Sequence, residues 1–317
     1  MEQMPGQFMS ISVQMIGHLR IRRGDTVLTA SNLGGPKPRQ ILEILLLRLG
    51  TTVSKDQLVD LLWGGKAPGE ALATLESYVS VLRRHLQPGH ARTGPLRTAN
   101  AGYLLERELV DLDLDRFDSL LRDAELAGPA DAYPQLVEAL ELAAEPLLGD
   151  ELTPEWAVEA RDRHASMVTG ARVLAAEAAA ALDRADDAVR WAQQAVSAEP
   201  LNERAWSALV AGLEQAGRYA EGIRSYDRCR RLLDREMGCM PGPALRAAHA
   251  RLLKATAQED GELSEVLAAL LLLSDSMRAG QDGPGVPVRA GIRRPGKNLQ
   301  AAGQVVDSFL RRALASA

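Results

Sequence analysis

PGEALATLESYVSVLRRHL, residues 68–86, is the stretch that decides the fold. Its apolar residues recur at intervals of four, three and four, the spacing of one face of an α-helix: Leu75, Val79, Leu82 and Leu86. At about 100° per residue, the opposite side carries Thr74, Ser77, Ser80, Val81 and Arg84. The pattern predicts an amphipathic helix. It is either a solvated surface helix or one that lies in a DNA major groove, where hydroxyls and a guanidinium reach phosphates and base edges.

Two further helices are predicted upstream of this one. Residues 36–48, PKPRQILEILLLR, form an apolar helix with proline at its start, where the missing N–H costs least. Ser54 is a helix N-cap for residues 55–62, and Gly64 and Gly65 end that helix. Three short helices in succession favour the DNA interpretation of residues 68–86.

Extended segments flank these helices. Residues 94–105 surround Asn100-Ala101-Gly102, which predicts a hairpin with turn residues at its tip. Residues 11–23 and 26–29 are joined by Gly24-Asp25 and predict a small sheet in front. Sheet, three helices and hairpin, in that order, are typical of a winged helix-turn-helix.

The second half of the chain is predicted to be helical to about residue 258, and it contains an internal repeat. At an offset of 34 residues, Arg184, Asp187, Ala188, Val189 and Ala192 match Arg218, Glu221, Gly222, Ile223 and Tyr226. That offset is the tetratricopeptide period of paired antiparallel helices. Such stacks usually bind proteins or peptides, although a role limited to intramolecular docking is the alternative. The predicted fold class is therefore mainly α with a small β component.

Residues 109–118 alternate apolar and acidic residues and predict an extended linker that opens a helix. The spacing of Asp111, Asp113 and Asp115 is that of a calcium loop, but arginine occupies the sixth position, which requires glycine. We expect no metal here. The negative charge of Asp115 or Asp118 is expected to lie near the positive N-terminal end of the helix and to stabilise it.

Several motifs together resemble the Streptomyces antibiotic regulatory protein family. MIGHLRIRRGD, PKPRQILEILLL, TVSKDQLVDLLWGG, TLESYVSVLRRHL and LRTANAGYLL are similar to its OmpR-like winged-helix domain. VDLDLDRFDSLL and AGRYAEGIRSYDRCRRLLDREMGCMPGPALRAAHARLL are similar to its bacterial transcriptional activation domain. The resemblance implies an activator of a specialised-metabolite gene cluster that binds direct repeats near a promoter, as a homodimer on DNA, and recruits RNA polymerase.

Three regions are expected: a winged-helix domain over residues 10–107, an activation domain over 111–258, and an extension over 259–317. The extension combines an apolar helix, a Gly/Pro linker and a final amphipathic helix. That last helix docks either on the helical domain or on a partner, and the sequence does not choose between them.

Charge is unevenly distributed. The 317 residues carry a net charge of −5, yet residues 1–107 hold 13 Lys/Arg against 8 Asp/Glu. A basic N-terminal part followed by an acidic C-terminal part is expected when one of two domains binds the phosphates of a nucleic acid. The chain has two cysteines, no signal peptide and no apolar run long enough for a membrane span, so a cytoplasmic, nucleoid-associated protein is expected.

Individual DNA contacts follow from the winged-helix interpretation. We expect Thr74, Ser77 and Arg84 to line the groove, with Tyr78 and Arg83 reaching phosphates from its flanks. Val81 lies in the outward stripe, where family members often carry a long polar residue, and offers a base only contact with a thymine methyl. The remaining expected contacts are Arg97 and Thr98 on the wing, and Lys37 and Arg39 at the start of the first long helix.

Other functional classes find less support. No GxSxG, HExxH, GxGxxG or GxxxxGK[ST] motif occurs, so we expect no enzyme and no cofactor. The alternative is a protein-interaction adaptor, in which a degenerate winged helix works through a partner regulator. Val81 and the modest basic charge favour that alternative.

Overall fold

The computed structural model describes residues 10–89, 93–151 and 154–259. The chain divides into two compact units, one of residues 1–184 with 197–199 and one of residues 185–196 with 200–317. The first unit contains, in chain order, β1 (Ile11–Gln14), β2 (Arg20–Arg23), β3 (Thr26–Thr29), α1 (Pro36–Leu47), β4 (Val53–Ser54), α2 (Lys55–Trp63), α3 (Ala71–Leu86), β5 (Leu96–Ala99), β6 (Gly102–Leu105), β7 (Val110–Leu112), α4 (Asp113–Leu126), α5 (Pro129–Leu142) and α6 (Glu155–Ala181). The second contains α7 (Ala185–Ala198), α8 (Glu203–Gln215), α9 (Tyr219–Met237) and α10 (Pro243–Glu259).

The three predicted helices are present, with the caps that the sequence indicates. The Ser54 hydroxyl accepts a hydrogen bond from the Gln57 backbone N–H at 3.2 Å, and the Gln57 side chain accepts one from the Ser54 N–H. Gly64 ends α2 in a left-handed conformation with φ of 56°. Helix α3 begins at Ala71, three residues after the start of the quoted stretch, and its four periodic apolar side chains are fully buried.

The predicted wing is a β-hairpin with a two-residue turn. Ala99 pairs with Gly102, which leaves Asn100 and Ala101 as the loop, and both have positive φ, 44° and 61°. Positive φ at both positions defines the type I′ turn, whose twist matches that of antiparallel strands. Strand β6 also pairs with β4, which ties the wing to the start of α2.

The linker after the wing returns to the N-terminal sheet. Strand β7 pairs in parallel with β1, so that the strand order is β3-β2-β1-β7. The Asp113 carboxylate then accepts hydrogen bonds from the backbone N–H groups of Met15 and Ile16, each at 2.9 Å. Burial raises the pKa of Asp113, although these backbone bonds oppose the shift.

Asp115 lies in the first turn of α4, as expected, together with Asp113. It is Asp113, the first residue of α4, that makes the decisive contact, whereas the Asp115 carboxylate pairs with Arg107. In the described part of the chain, no group of three or more His, Cys, Asp or Glu side chains is placed to hold a metal ion.

The second unit confirms the 34-residue repeat. Helices α7 and α9 begin at residues 185 and 219, one period apart. Glycines permit close helix approach: a Cβ on Gly212 would lie 3.2 Å from Val189 of α7, and one on Gly222 would lie 2.7 Å from Leu252 of α10. The predicted fold class, a winged helix followed by tetratricopeptide-like helices, is confirmed. The predicted extension beyond Glu259 lies outside the described residues.

Candidate nucleic-acid interface

The outer face of α3 presents one continuous exposed row. Ala73, Ser77, Ser80 and Arg84 are all exposed and lie opposite the buried leucines. The Ser80 hydroxyl donates to the Glu76 carbonyl at 2.8 Å, whereas Arg84 makes no hydrogen bond or ion pair within the described residues. A helix held from behind by its leucines therefore offers two hydroxyls and one unpaired guanidinium to the surroundings.

The flanks of this row are partly covered. Thr74 and Tyr78 are half-buried, so that each exposes only part of its side chain beside the row. Val81 differs from expectation, because it is half-buried against the turn that precedes α1: a Cβ on Gly34 would lie 2.8 Å from its Cγ1. Since Gly34 has no side chain, the valine fills the space beside it. Packing therefore accounts for an apolar residue at position 81.

Arg83 connects α3 to the wing. Its Nη2 donates to the Thr98 hydroxyl at 2.6 Å and its Nε donates to the Leu96 carbonyl at 3.4 Å. The guanidinium carbon lies 5.8 Å from the centre of the Tyr103 ring. Arg83 thus donates a bond that holds the wing against the helix, with Thr98 as the acceptor, and its phosphate contact stays a prediction.

The second wing residue, Arg97, is paired within its own hairpin. Its Nε lies 3.4 Å from Oε1 of Glu106, and about two fifths of its side chain stays exposed. The tip of the turn, Asn100 and Ala101, is exposed and carries no charge. Positive charge on the wing therefore lies along a strand and not at the tip, where a basic residue would reach furthest.

Lys37 is an internal contact between α1 and α2. Its ammonium donates to the Leu62 carbonyl and to the Gln40 side chain, the latter at 3.2 Å, and lies 5.7 Å from the centre of the Trp63 ring. The Leu62 carbonyl belongs to the last turn of α2, where a cation is favoured by the helix dipole. Lys37 therefore caps α2, and its contact with DNA stays a prediction.

Arg39 likewise forms an ion pair inside the protein. Its Nε donates to Oε1 of Glu151 at 2.7 Å, and Gln40 donates to the other oxygen of that carboxylate at 2.8 Å. Glu151 is buried, as is Glu43, whose Oε1 lies 3.9 Å from Arg39. Burial raises the pKa of Glu43 to about 8, the Glu151 carboxylate adds to the shift, and Arg39 opposes it.

This cluster was missed at the level of sequence, although one signal was present. Glu43 interrupts the run ILEILLL, and a carboxylate within an apolar helix face indicates a buried partner. Arg39, four residues upstream of Glu43, is a local partner, whereas Glu151 lies more than a hundred residues away, so that no local pattern could name the second carboxylate of the cluster.

A helix-turn-helix with an exposed serine–arginine row and a short wing defines a winged-helix regulator of transcription. Two family profiles match the chain: "Transcriptional regulatory protein, C terminal" over residues 32–105 and "Bacterial transcriptional activator domain" over residues 112–253. The chain belongs to the Streptomyces antibiotic regulatory protein family.

Relatives with this arrangement are named as regulators. Transcriptional regulatory protein MoaR1 of Mycobacterium bovis is 31% identical over 79% of this chain and 82% of its own length. Regulatory protein AfsR of Streptomyces coelicolor is 33% identical over 78% of this chain, which spans only 24% of AfsR.

A solved structure has the same fold. It is Mycobacterium tuberculosis EmbR in complex with a low-affinity phosphopeptide, with a TM-score of 0.68, 24% identity, and coverage of 83% of this chain and 71% of EmbR. In the described part of this chain, no helix is both long and apolar enough to cross a membrane.

Proposed function

We propose that this protein is a DNA-binding transcriptional activator, specific for a specialised-metabolite gene cluster, that places α3 in the major groove. The observation that carries the proposal is the exposed row of Ser77, Ser80 and Arg84 on a helix whose opposite face is locked into the core. An unpaired arginine is the side chain best suited to a guanine edge or a phosphate.

The structure also changes which residues we propose to contact DNA. Arg84 and Ser77 form the centre of the interface, and Thr74, Tyr78 and the exposed part of Arg97 lie at its edges. Lys37, Arg39, Arg83 and Val81 hold the domain together, and Thr98 accepts the bond from Arg83. The adaptor alternative loses support because Val81 packs on Gly34. Packing explains why residue 81 is apolar, so the valine is no longer a sign that the DNA-binding surface is degenerate.

The proposed target is a direct repeat bound by a homodimer, with half-sites spaced by about one helical turn. In this arrangement residues 10–107 bind DNA and residues 111–258 bind a partner, which we propose to be RNA polymerase. A second surface supports the latter role. Arg224, Arg228, Arg231 and Arg235 are all exposed, and at about 100° per residue they share one face of α9.

DNA binding is tested by fluorescence anisotropy with the full chain and promoter fragments of its own gene cluster. We expect Arg84→Ala to weaken binding by about 10- to 100-fold, the cost of one good base or phosphate contact. Arg22→Ala, which removes another exposed arginine from β2, is the matched control and is expected to change affinity less than twofold. Absence of binding by the unaltered protein at about 50 mM salt would contradict the proposal, because phosphate contacts are strongest at low salt.

Activation is tested separately from binding. The double change Arg224→Ala and Arg231→Ala is expected to lower transcription from the promoter in a reporter assay while DNA affinity stays the same. If DNA affinity falls instead, the row on α9 contacts DNA and the assignment of this surface to RNA polymerase is wrong.

A further inference from the structure

The first unit contains a cavity of about 780 Å³ between four helices. Its walls come from α1, α2, α4 and α6, and its lining combines charged side chains with apolar ones, which include Ile44, Leu61, Leu114 and Met167. The volume lies within the range of about 300–1,000 Å³ that is typical of small-molecule sites.

Three side chains of the cavity wall carry buried polar atoms without a hydrogen-bond partner among residues 10–89, 93–151 and 154–259. His164 is 4% exposed, and neither ring nitrogen has a partner in the part of the chain that the structure describes. The Trp156 indole N–H and the Asp118 Oδ1 atom are also buried without a partner. An unpaired buried polar group costs about 1–3 kcal/mol, so four such atoms at one cavity indicate a bound species that supplies the missing partners.

The chemistry of these groups defines what they would bind. Burial lowers the pKa of His164 to about 4, so that its ring is neutral at pH 7 and offers one donor and one acceptor. Trp156 adds a donor, and Asp118 adds an oxygen. The matching molecule therefore carries both a donor and an acceptor, which a hydroxyl and a carbonyl group provide together.

The shape and the charge of the cavity wall narrow the class of ligand further. The ring of Phe117 contacts that of His164 edge to face, with centroids 4.7 Å apart, which fixes the orientation of the histidine ring. Side chains of both signs line the cavity in nearly equal number, so that the wall strongly favours neither a cation nor an anion: Lys37, Arg48 and Arg163 against Asp60, Asp118, Glu155 and Glu159. Aromatic and aliphatic wall segments between charged side chains of nearly balanced sign suit a flat, uncharged ring system.

We propose that this cavity is a binding site for an uncharged aromatic molecule that bears a hydroxyl and a carbonyl group. The site does not depend on DNA binding. Its wall includes α2, which also packs against α3 in the winged helix.

The probe for this site is 7-hydroxycoumarin at pH 6, where the phenol is uncharged, titrated into the full chain by isothermal titration calorimetry. We expect saturable binding with one site per chain. Trp156→Phe keeps the ring and removes the N–H, and it is expected to weaken binding about three- to tenfold, the worth of one hydrogen bond. Trp206→Phe is the matched control outside the cavity, since its indole N–H donates to the Pro200 carbonyl, and it is expected to leave the affinity unchanged.

Two further measurements make the proposal falsifiable. Ala160→Leu, which adds volume to the cavity wall, is expected to abolish binding while circular dichroism shows an intact fold. Naphthalene, without polar groups, and 2-naphthoate, with a charge, are expected to bind at least tenfold more weakly. No saturable binding of 7-hydroxycoumarin at 1 mM would mean that water alone occupies the cavity. Equal binding of naphthalene, or an unchanged affinity of Trp156→Phe, would show that the unpaired polar groups do not recognise the ligand. Each of these results overturns the proposal.

Discussion

Arg39 and Glu151 are 112 positions apart in the chain and form a buried ion pair, with Nε of the arginine 2.7 Å from Oε1 of the glutamate. The pair joins the first helix of the winged helix-turn-helix to the segment that precedes α6. Its arginine also lies 3.9 Å from Glu43, so that one cation serves two buried carboxyl groups. The ion pair therefore has a structural role in the part of the fold that supports α1.

Loss of the cation should destabilise the first unit. Arg39→Ala leaves the Glu151 carboxylate buried without a compensating charge, and we expect the free energy of unfolding to fall by about 3 kcal/mol. Urea denaturation followed by circular dichroism measures the change. Arg22→Ala, at an exposed site in β2, is the control and should alter stability by less than about 0.5 kcal/mol. A variant of normal stability with weaker DNA binding would instead support the original phosphate contact of Arg39.

Glu43 should make stability fall as the pH rises. Its pKa is about 8 in the folded protein against an ordinary value of 4.5, so that between these values the folded state keeps a proton that the unfolded state has lost. Protonation therefore favours folding, the benefit is complete near pH 4.5, and it disappears as the pH rises through 8. Glu43→Gln, which is neutral at every pH, should gain stability over the unaltered protein by roughly 3–5 kcal/mol between pH 5 and pH 8.

Denaturation midpoints of both proteins at half-unit intervals of pH measure this difference. Aspartates and histidines elsewhere titrate equally in the two proteins and cancel in the comparison. A difference that is constant with pH would show that Glu43 is ionised throughout the range and that its burial is relieved by Arg39.

The wing turn should respond in opposite directions at two adjacent positions. Ala101 has φ of 61°, which costs an alanine about 1–2 kcal/mol, so Ala101→Gly should stabilise the protein by about 0.5–1 kcal/mol after the entropy of the unfolded glycine is counted. Gly102→Ala should destabilise it by about 2 kcal/mol or more, because the new Cβ would lie 2.2 Å from the Val53 carbonyl oxygen. Thermal unfolding of both variants checks the pair. Equal effects of the two changes would mean that the turn is not of type I′.

The bond between Arg83 and Thr98 should appear as an energetic coupling between α3 and the wing. We expect Arg83→Ala and Thr98→Val each to reduce stability, and the double variant to lose about 1 kcal/mol less than the sum of the two. A double-mutant cycle of unfolding free energies measures this coupling. Strict additivity, together with a loss of DNA affinity in Arg83→Ala alone, would return Arg83 to the phosphate contact expected from the sequence.

Much of the fold could be predicted because its signals are local. The buried leucines of α3, the Ser54 cap, the turn at Asn100 and the 34-residue repeat each act over a few residues or one helix pair. The outward direction of Ser77 and Arg84 follows from the same helical period. These features depend on backbone geometry and on the spacing of apolar residues, and both can be read from the order of residues in the chain.

The sequence by itself therefore determined the elements, their order and the helix face that we propose to meet DNA. Only the tertiary structure decided which basic side chains remain available to a partner: Arg84 has no ion pair with any residue that the structure describes, whereas Arg39 pairs with Glu151 and Lys37 donates to the Leu62 carbonyl. It also decided that Val81 packs on Gly34 and that His164, Trp156 and Asp118 share one cavity. The physical reason is that helix periodicity and capping act between neighbours in the chain. Ion pairs, close packing and cavities arise between segments that only folding brings together.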